Sequence, residues 1–269
     1  MSFSRHMCVV AGAALLFLCK TWASTIVVSK CSDGIIIGSD SLAVSGPLIR
    51  NRVAQNVYDL DGADSVVCCC SSTSGQSDFH HLLTDLRRLV RSSYEDEDLF
   101  MAVGSGWDDG SGRKARKMSA SALARYARRL VTKKYRKAHI IIAGADFNDA
   151  TDAGAGGASA SMPLARGSPC QYSIHEIVDG GSHIVHADFV VAGTGSDLVH
   201  ALLANLLDSC SSSGSGSSDG GKAEISPDLC ARTVKQALKS AATVDPRTGA
   251  ALRLWLFAAG KGLKRIEVV

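Results

Sequence analysis

The sequence predicts an α+β fold in one domain, and three observations carry that expectation. Two runs of β-branched residues, Ser24–Val28 and Ile35–Gly38, flank a polar turn at Ser32-Asp33-Gly34 and read as a β-hairpin. From Phe79 the apolar spacing changes, with Phe79, Leu82, Leu83, Leu86 and Val90 forming one helical face. Near the C-terminus, Ser226-Pro227-Asp228 joins an N-cap, a first-turn proline and an acid at the positive end of the helix dipole. A chain of 269 residues with 46% hydrophobic content can bury one substantial core, and no composition break divides it.

Taken in order, the hairpin is followed by two short strands, Val53–Leu60 and Ser65–Ser71, and then by the helix built on Phe79. Residues 92–118 lack an apolar period and contain Glu95-Asp96-Glu97-Asp98. Ser119–Arg136 reads as a second helix with Leu123, Ala127, Leu130 and Val131 on its inner stripe. Strands are expected at His139–Ala143, Cys170–Ile177 and Asp188–Ala192, then a Leu-rich helix at Ser196–Asp208. Residues 209–221 are almost all Ser and Gly, which marks a flexible surface insertion. The helix opened by Ser226 carries Leu229, Thr233, Ala237 and Ala241 on one face. Two closing strands, Leu252–Ala258 and Leu263–Val269, meet through Gly260-Lys261-Gly262.

The net charge of +3 is too small to imply a nucleic-acid partner by itself. Eleven basic residues and no acid lie between Arg113 and Lys137, a pattern that fits a solvated helix or an acidic neighbour better than a nucleic-acid footprint. Nine cysteines include Cys68-Cys69-Cys70 in an apolar run, where adjacent side chains face opposite ways. That arrangement reads as buried thiols in a reducing compartment rather than a disulfide framework. No Cys or His spacing suits a metal: His80 and His81 diverge on a helix. Gly193-Thr194-Gly195-Ser196 lacks the Gly-Lys pair of a phosphate loop. No cofactor is expected. At the N-terminus, Arg5 and His6 precede an apolar stretch from Met7 to Cys19, and Thr21-Trp22-Ala23 has the outline of a signal-peptide cleavage site. The stretch is too short for a membrane span.

The chemistry concentrates at the hairpin. Its first strand opens on hydroxyl residues, and its second ends in Asp40, directed back towards that opening. Such a terminal Ser or Thr can act as nucleophile with its own freed α-amine as base. Five segments stand out: Ser24-Thr25-Ile26-Val27-Val28, Asp33-Gly34-Ile35-Ile36-Ile37-Gly38-Ser39-Asp40-Ser41, Ile49-Arg50-Asn51-Arg52-Val53, Val66-Val67-Cys68-Cys69-Cys70-Ser71 and Ile140-Ile141-Ile142-Ala143-Gly144-Ala145-Asp146. In these the chain resembles the proteasome beta subunits, N-terminal-nucleophile hydrolases, and is most similar to their caspase-like class. The resemblance spans nearly all of residues 24–269, with insertions near 100–118, 148–169 and 209–223. It implies a four-layer αββα sandwich of two antiparallel sheets between helix layers, and it makes residues 1–23 a propeptide-like leader. The signal peptide stays open as the alternative reading of that leader.

The resemblance also implies a site. The family's nucleophile position falls on Ser24, and its first aspartate on Asp40. The lysine that lowers the α-amine pKa and assists proton transfer falls on Asn56, thirty-two residues beyond Ser24. Thr194 stands in the place of a serine that hydrogen-bonds the amine, Asp245 matches a second aspartate, and Thr248 replaces the serine after it. Ala23 stands where the family has glycine before the cut. The oxyanion-hole glycine falls on Ser72, and the arginine that selects acidic side chains falls on Cys70. A neutral Asn56 removes a proton-transfer partner, a loss of roughly a hundred- to ten-thousand-fold in rate. The implied function is therefore a beta-type subunit of the 20S proteasome core, taking part in ATP- and ubiquitin-dependent protein degradation with a defective threonine-type endopeptidase site of its own. Its partners would be other alpha and beta subunits and unfolded polypeptide substrates, with no nucleic acid and no membrane, in cytoplasm and nucleus. The alternatives are an active endopeptidase using Ser24 and a secreted hydrolase-like protein.

Overall fold

The computed structural model describes residues 24–45, 48–60, 65–70, 75–95, 118–146, 171–212 and 225–268. Among the described residues it is mixed α and β, with two five-stranded antiparallel sheets, a small two-stranded ribbon and four α-helices. β1 (Ile26–Cys31) and β2 (Gly34–Ser39) form the expected hairpin, and β10 (Phe189–Ala192), β11 (Arg253–Ala258) and β12 (Gly262–Val268) complete the first sheet in the order β10-β1-β2-β11-β12. β5 (Val57–Asp59), β6 (Ser65–Cys69), β7 (Ile140–Asp146), β8 (Gln171–Ile177) and β9 (His183–His186) make the second sheet in sequence order. The ribbon pairs β3 (Ala43–Ser45) with β4 (Leu48–Asn51).

The continuous apolar run of β2 follows from burial on both faces. Ile35 and Ile37 join a cluster with Val66, Cys68, Ile141 and Ile174 of the second sheet, whereas Ile36 joins Val27 and Leu254 beneath two helices. Those helices are α3 (Ser196–Ser212) and α4 (Pro227–Val244), which contribute Val199, Leu203, Val234 and Leu238. The opposite face of the second sheet, through Val67, Ile140, Ile142 and Ile177, packs on α1 (Gln76–Glu95) and α2 (Ala120–Lys133). Ile35, Ile36 and Ile37 are fully buried, and each such side chain contributes about 1.5–3 kcal/mol of transfer free energy. The cap expected at Ser226 accepts from the backbone N–H of Leu229, and Ser119 caps the other helix by accepting from Ala122 N–H.

The structure corrects several boundaries. The strand expected over Val53–Leu60 shrinks to Val57–Asp59, because Ala54 N–H bonds Ser41 C=O and the Asn56 side chain turns into the hydrogen bonds described below. Helix α1 continues to Glu95, into the stretch expected to be aperiodic, and α3 runs through residues 209–212, expected to begin the insertion. Met118, placed at the end of another insertion, packs against the α1–α2 core. Strands β3, β4 and β9 were not anticipated. The hairpin loop is Ser32-Asp33, since Cys31 pairs with Gly34. Gly34 keeps a negative φ, and a Cβ there would lie 2.2 Å from the Phe257 carbonyl oxygen, so close packing on β11 explains that glycine. The leader 1–23 with Ala23, Ser72, and the expected insertions apart from Met118 and residues 209–212 lie outside the described residues.

Candidate functional site

Antiparallel pairing sets four chain ends side by side. Ile26 at the start of β1 pairs with Ala192 at the end of β10 and with Ser39 at the end of β2, and Ser39 pairs with Arg253 at the start of β11. The segments just beyond those ends carry Ser24 and Thr25, Asp40, Thr194, and Asp245 with Thr248. Asn56 enters from the stretch before β5 of the second sheet. The six residues singled out in the sequence therefore converge on one end of the first sheet.

They form two hydrogen-bonded groups, divided by the alternation of Ser24 and Thr25. On one side the Asn56 amide donates to Ser24 Oγ at 3.0 Å and to the Asp40 carbonyl oxygen at 3.0 Å, with a longer contact to Ser39 Oγ at 3.4 Å. Ser24 in turn donates its hydroxyl proton to the Leu42 carbonyl at 3.0 Å. The serine hydroxyl thus has a donor and an acceptor already, and neither is a base.

On the other side, Thr25 Oγ1 accepts from Gly195 N–H at 3.0 Å and lies 2.7 Å from Thr248 Oγ1. Thr248 donates to Asp245 Oδ2 at 2.9 Å, so its single proton is committed and Thr25 is the donor in the threonine pair. Thr194 Oγ1 is 3.2 Å from the same Thr248 oxygen. The result is a chain of hydroxyls ending on a carboxylate. Burial would raise the Asp245 pKa, but bonds from Arg247, Thr248 and Thr194 outweigh it and hold the carboxyl below its ordinary value.

Asp40 links the two groups. It has no exposed surface; Oδ1 accepts from Thr25 N–H at 3.0 Å and Oδ2 from Gly249 N–H at 2.9 Å. Burial pushes its pKa up to about 7, against the lowering effect of those amides, and the Asp245 charge adds to the rise. Asn56, which donates to the Asp40 carbonyl oxygen, brings no positive charge to this carboxyl. A lysine in place of Asn56 would supply one, and the neutral amide does not.

Glycine is required at Gly193. Its φ is +112°, and a Cβ would lie 1.7 Å from the Ser24 carbonyl oxygen. Thr25, Ser39 and Leu42 were missing from the sequence-derived set. The usable signal was the pleat: a hydroxyl residue adjacent to Ser24 must point to the opposite side and find partners of its own. Cys70, expected at a specificity position, is buried between the sheets with its N–H on the His139 carbonyl. Among the described residues, no group of three or more His, Cys, Asp or Glu is placed to hold a metal ion, and no helix is long and apolar enough to cross a membrane. No protein-family model matches the chain, and no curated protein matches it.

Proposed function

We propose that the chain is a beta-type subunit of the 20S proteasome core particle whose own peptidase site does not work. The observation that carries this reading is the Asn56 amide 3.0 Å from Ser24 Oγ, inside a cluster that also holds Asp40, Thr194, Asp245 and Thr248. In this reading Ser24 is the nucleophile, Asp40 and Asp245 are the two aspartates and Thr194 and Thr248 the accessory hydroxyls, with the neutral Asn56 amide in the place of the cation. The finer architecture proposed with it is the αββα sandwich, supported by the three apolar clusters that lie between the sheets and beneath each helix pair.

The site chemistry supports inactivity in two ways. Ser24 gives its proton to a backbone carbonyl, and its attack on a substrate would first break that bond and the Asn56 contact. A freed α-amine at residue 24 would also lack the fixed positive charge that keeps such an amine unprotonated near neutral pH. The subunit's role is then to fill its place in a ring with alpha and other beta subunits in cytoplasm and nucleus, while unfolded polypeptides are cut at other subunits' sites.

Mass spectrometry of the native chain's N-terminus tests this. The expected result is a chain within a cylindrical particle that does not begin at Ser24 and does not label with an electrophile requiring both hydroxyl and free amine. A chain already starting at Ser24 and already labelled would instead be a working peptidase. A stable isolated monomer in native extract would remove the proteasome assignment.

A further inference from the structure

Strands β8 and β9 bring two imidazoles together on the side of the second sheet that packs against α2. Ile177, part of that packing, pairs with His183, and His175 pairs with Val185, so His175 and His183 are diagonal neighbours on one face. Eight residues and a turn separate them in the chain, and only the strand pairing joins them. His175 Nδ1 lies 3.1 Å from His183 Nε2, and the ring centroids are 5.2 Å apart. The other nitrogen of His175 is fixed from behind. Asp146, at the end of β7, accepts the Ser121 N–H at 2.9 Å and the Ser121 hydroxyl at 2.6 Å in the first turn of α2. That commits the single hydroxyl proton of Ser121. Its 3.3 Å contact with His175 Nε2 therefore has the histidine as donor, and the Ser173 hydroxyl 2.9 Å away shares the same N–H. His175 is thereby held as the Nε2–H tautomer, with the lone pair of Nδ1 facing His183.

We infer that His175 Nδ1 and His183 Nε2 form a two-histidine site for a divalent transition-metal ion of the zinc or copper class. Two nitrogens at tetrahedral positions about 2.0–2.1 Å from such an ion lie about 3.3–3.4 Å apart. The pair, at 3.1 Å, need open by only about 0.2–0.3 Å while His183 carries its proton on Nδ1 instead. The aspartate, serine and histidine in series behind Nδ1 are the kind of outer partners that orient a ligating imidazole. Lys30 and Arg125 act on His175 and Arg128 acts on His183, against the charge of Asp146. That balance disfavours hard cations held by charge alone, such as magnesium and calcium, and selects an ion bonded through imidazole. His175 is buried and His183 half-buried, so one ligand is held rigidly while the other admits the ion from solvent, with water in the remaining positions. β9 is an edge strand with Ile184 and Val185 both exposed, and the ion would clip it to β8. The site belongs to the second sheet and α2, and it is independent of the Ser24 cluster.

Oxidation of the native full-length protein by Cu²⁺ and ascorbate, read by peptide mass spectrometry, marks the imidazoles that ligate the ion. Oxidation is expected at His175 and His183 at copper concentrations that leave the exposed His81 and His200 unmodified, and redox-inert Zn²⁺ should suppress it. In His183→Gln the copper concentration needed to oxidise His175 should rise at least about tenfold, and in Ser121→Ala about tenfold. His200→Gln should leave the oxidation of His175 and His183 unchanged. Zn²⁺ should also slow amide hydrogen exchange in β9 of the wild type, and not in His183→Gln. Oxidation spread evenly over the exposed histidines would overturn the inference. So would His175 oxidation that is unchanged in His183→Gln, or β9 exchange that does not respond to Zn²⁺.

Discussion

Replacing Asn56→Lys should change how the protein's stability depends on pH, because Asp40 is a fully buried carboxyl titrating at about 7 rather than at its ordinary 3.8. In the unfolded chain this group loses its proton near 3.8; in the folded chain it keeps the proton until about 7. Between those values the unfolded state binds fewer protons, so stability falls as pH rises. The contribution is fully present below pH 3.8 and lost above about 7. A difference of about three pKa units at ~1.36 kcal/mol each gives a loss of about 4 kcal/mol across the window. The ammonium of Asn56→Lys would favour the ionised carboxyl and pull its pKa down, removing much of that loss. Urea unfolding of both full-length chains at pH 5, 6, 7 and 8 measures it. The wild type should lose stability from pH 5 to about 7 and level off towards pH 8, and the variant should lose less than half as much. Equal slopes in the two proteins, or a flat wild-type profile, would refute the account of Asp40. Asp40→Asn provides the internal check: it should also flatten the slope, but from a lower baseline. Asparagine has one carbonyl oxygen for the Thr25 and Gly249 N–H groups, and leaving one unsatisfied costs about 1–3 kcal/mol. Adding Ser24→Thr to Asn56→Lys should yield N-terminal processing and electrophile labelling, whereas Ser24→Thr alone should yield neither.

A second carboxyl provides the opposite pH dependence. Glu176 bridges His139 Nε2 at 2.8 Å and His186 Nε2 at 2.9 Å, and despite its burial those two histidines lower its pKa from 4.5 to about 2. Its contribution is present above 4.5 and is lost as pH falls towards 2, so Glu176→Gln should remove that part of the acid-induced loss in a pH-dependent melting series. Gly38→Ala should destabilise by about 1–3 kcal/mol in urea unfolding, because its Cβ would lie 2.5 Å from Val234 and 2.7 Å from Leu238. A neutral result there would mean that α4 can shift outward from β2 at little cost.

What could be read from the sequence was whatever burial or capping imprints on residue type. The β1–β2 hairpin was legible because its isoleucines are buried on both faces, α2 because its inner stripe is apolar, and the start of α4 because Ser226 caps it. Strand β9 left no such imprint. Ile184 and Val185 point to opposite sides and both are exposed, so the strand exists through its pairing with β8 and not through a buried face. The same limit applies to the site. Ser24, Asp40, Asn56, Thr194, Asp245 and Thr248 were each nameable, but the second role of Thr25 depends on Gly195 and Thr248, which only the sheet register brings to it.

That register also explains how position 56 can hold an amide and still keep its neighbours hydrogen-bonded. The strand ends that carry Ser24, Asp40, Thr194 and Thr248 are fixed by pairing within the first sheet, and Asn56 is the one member delivered from elsewhere. Its amide still satisfies the Ser24 hydroxyl and the Asp40 carbonyl, so the buried polar groups that a lysine would have met remain paired. What the amide cannot supply is charge, and charge is what the buried Asp40 carboxyl and a freed amine would each require. Hydrogen bonding and charge therefore separate at this residue: the amide keeps the scaffold's polar groups paired, while the absence of a cation there leaves the Asp40 carboxyl protonated well above its ordinary range.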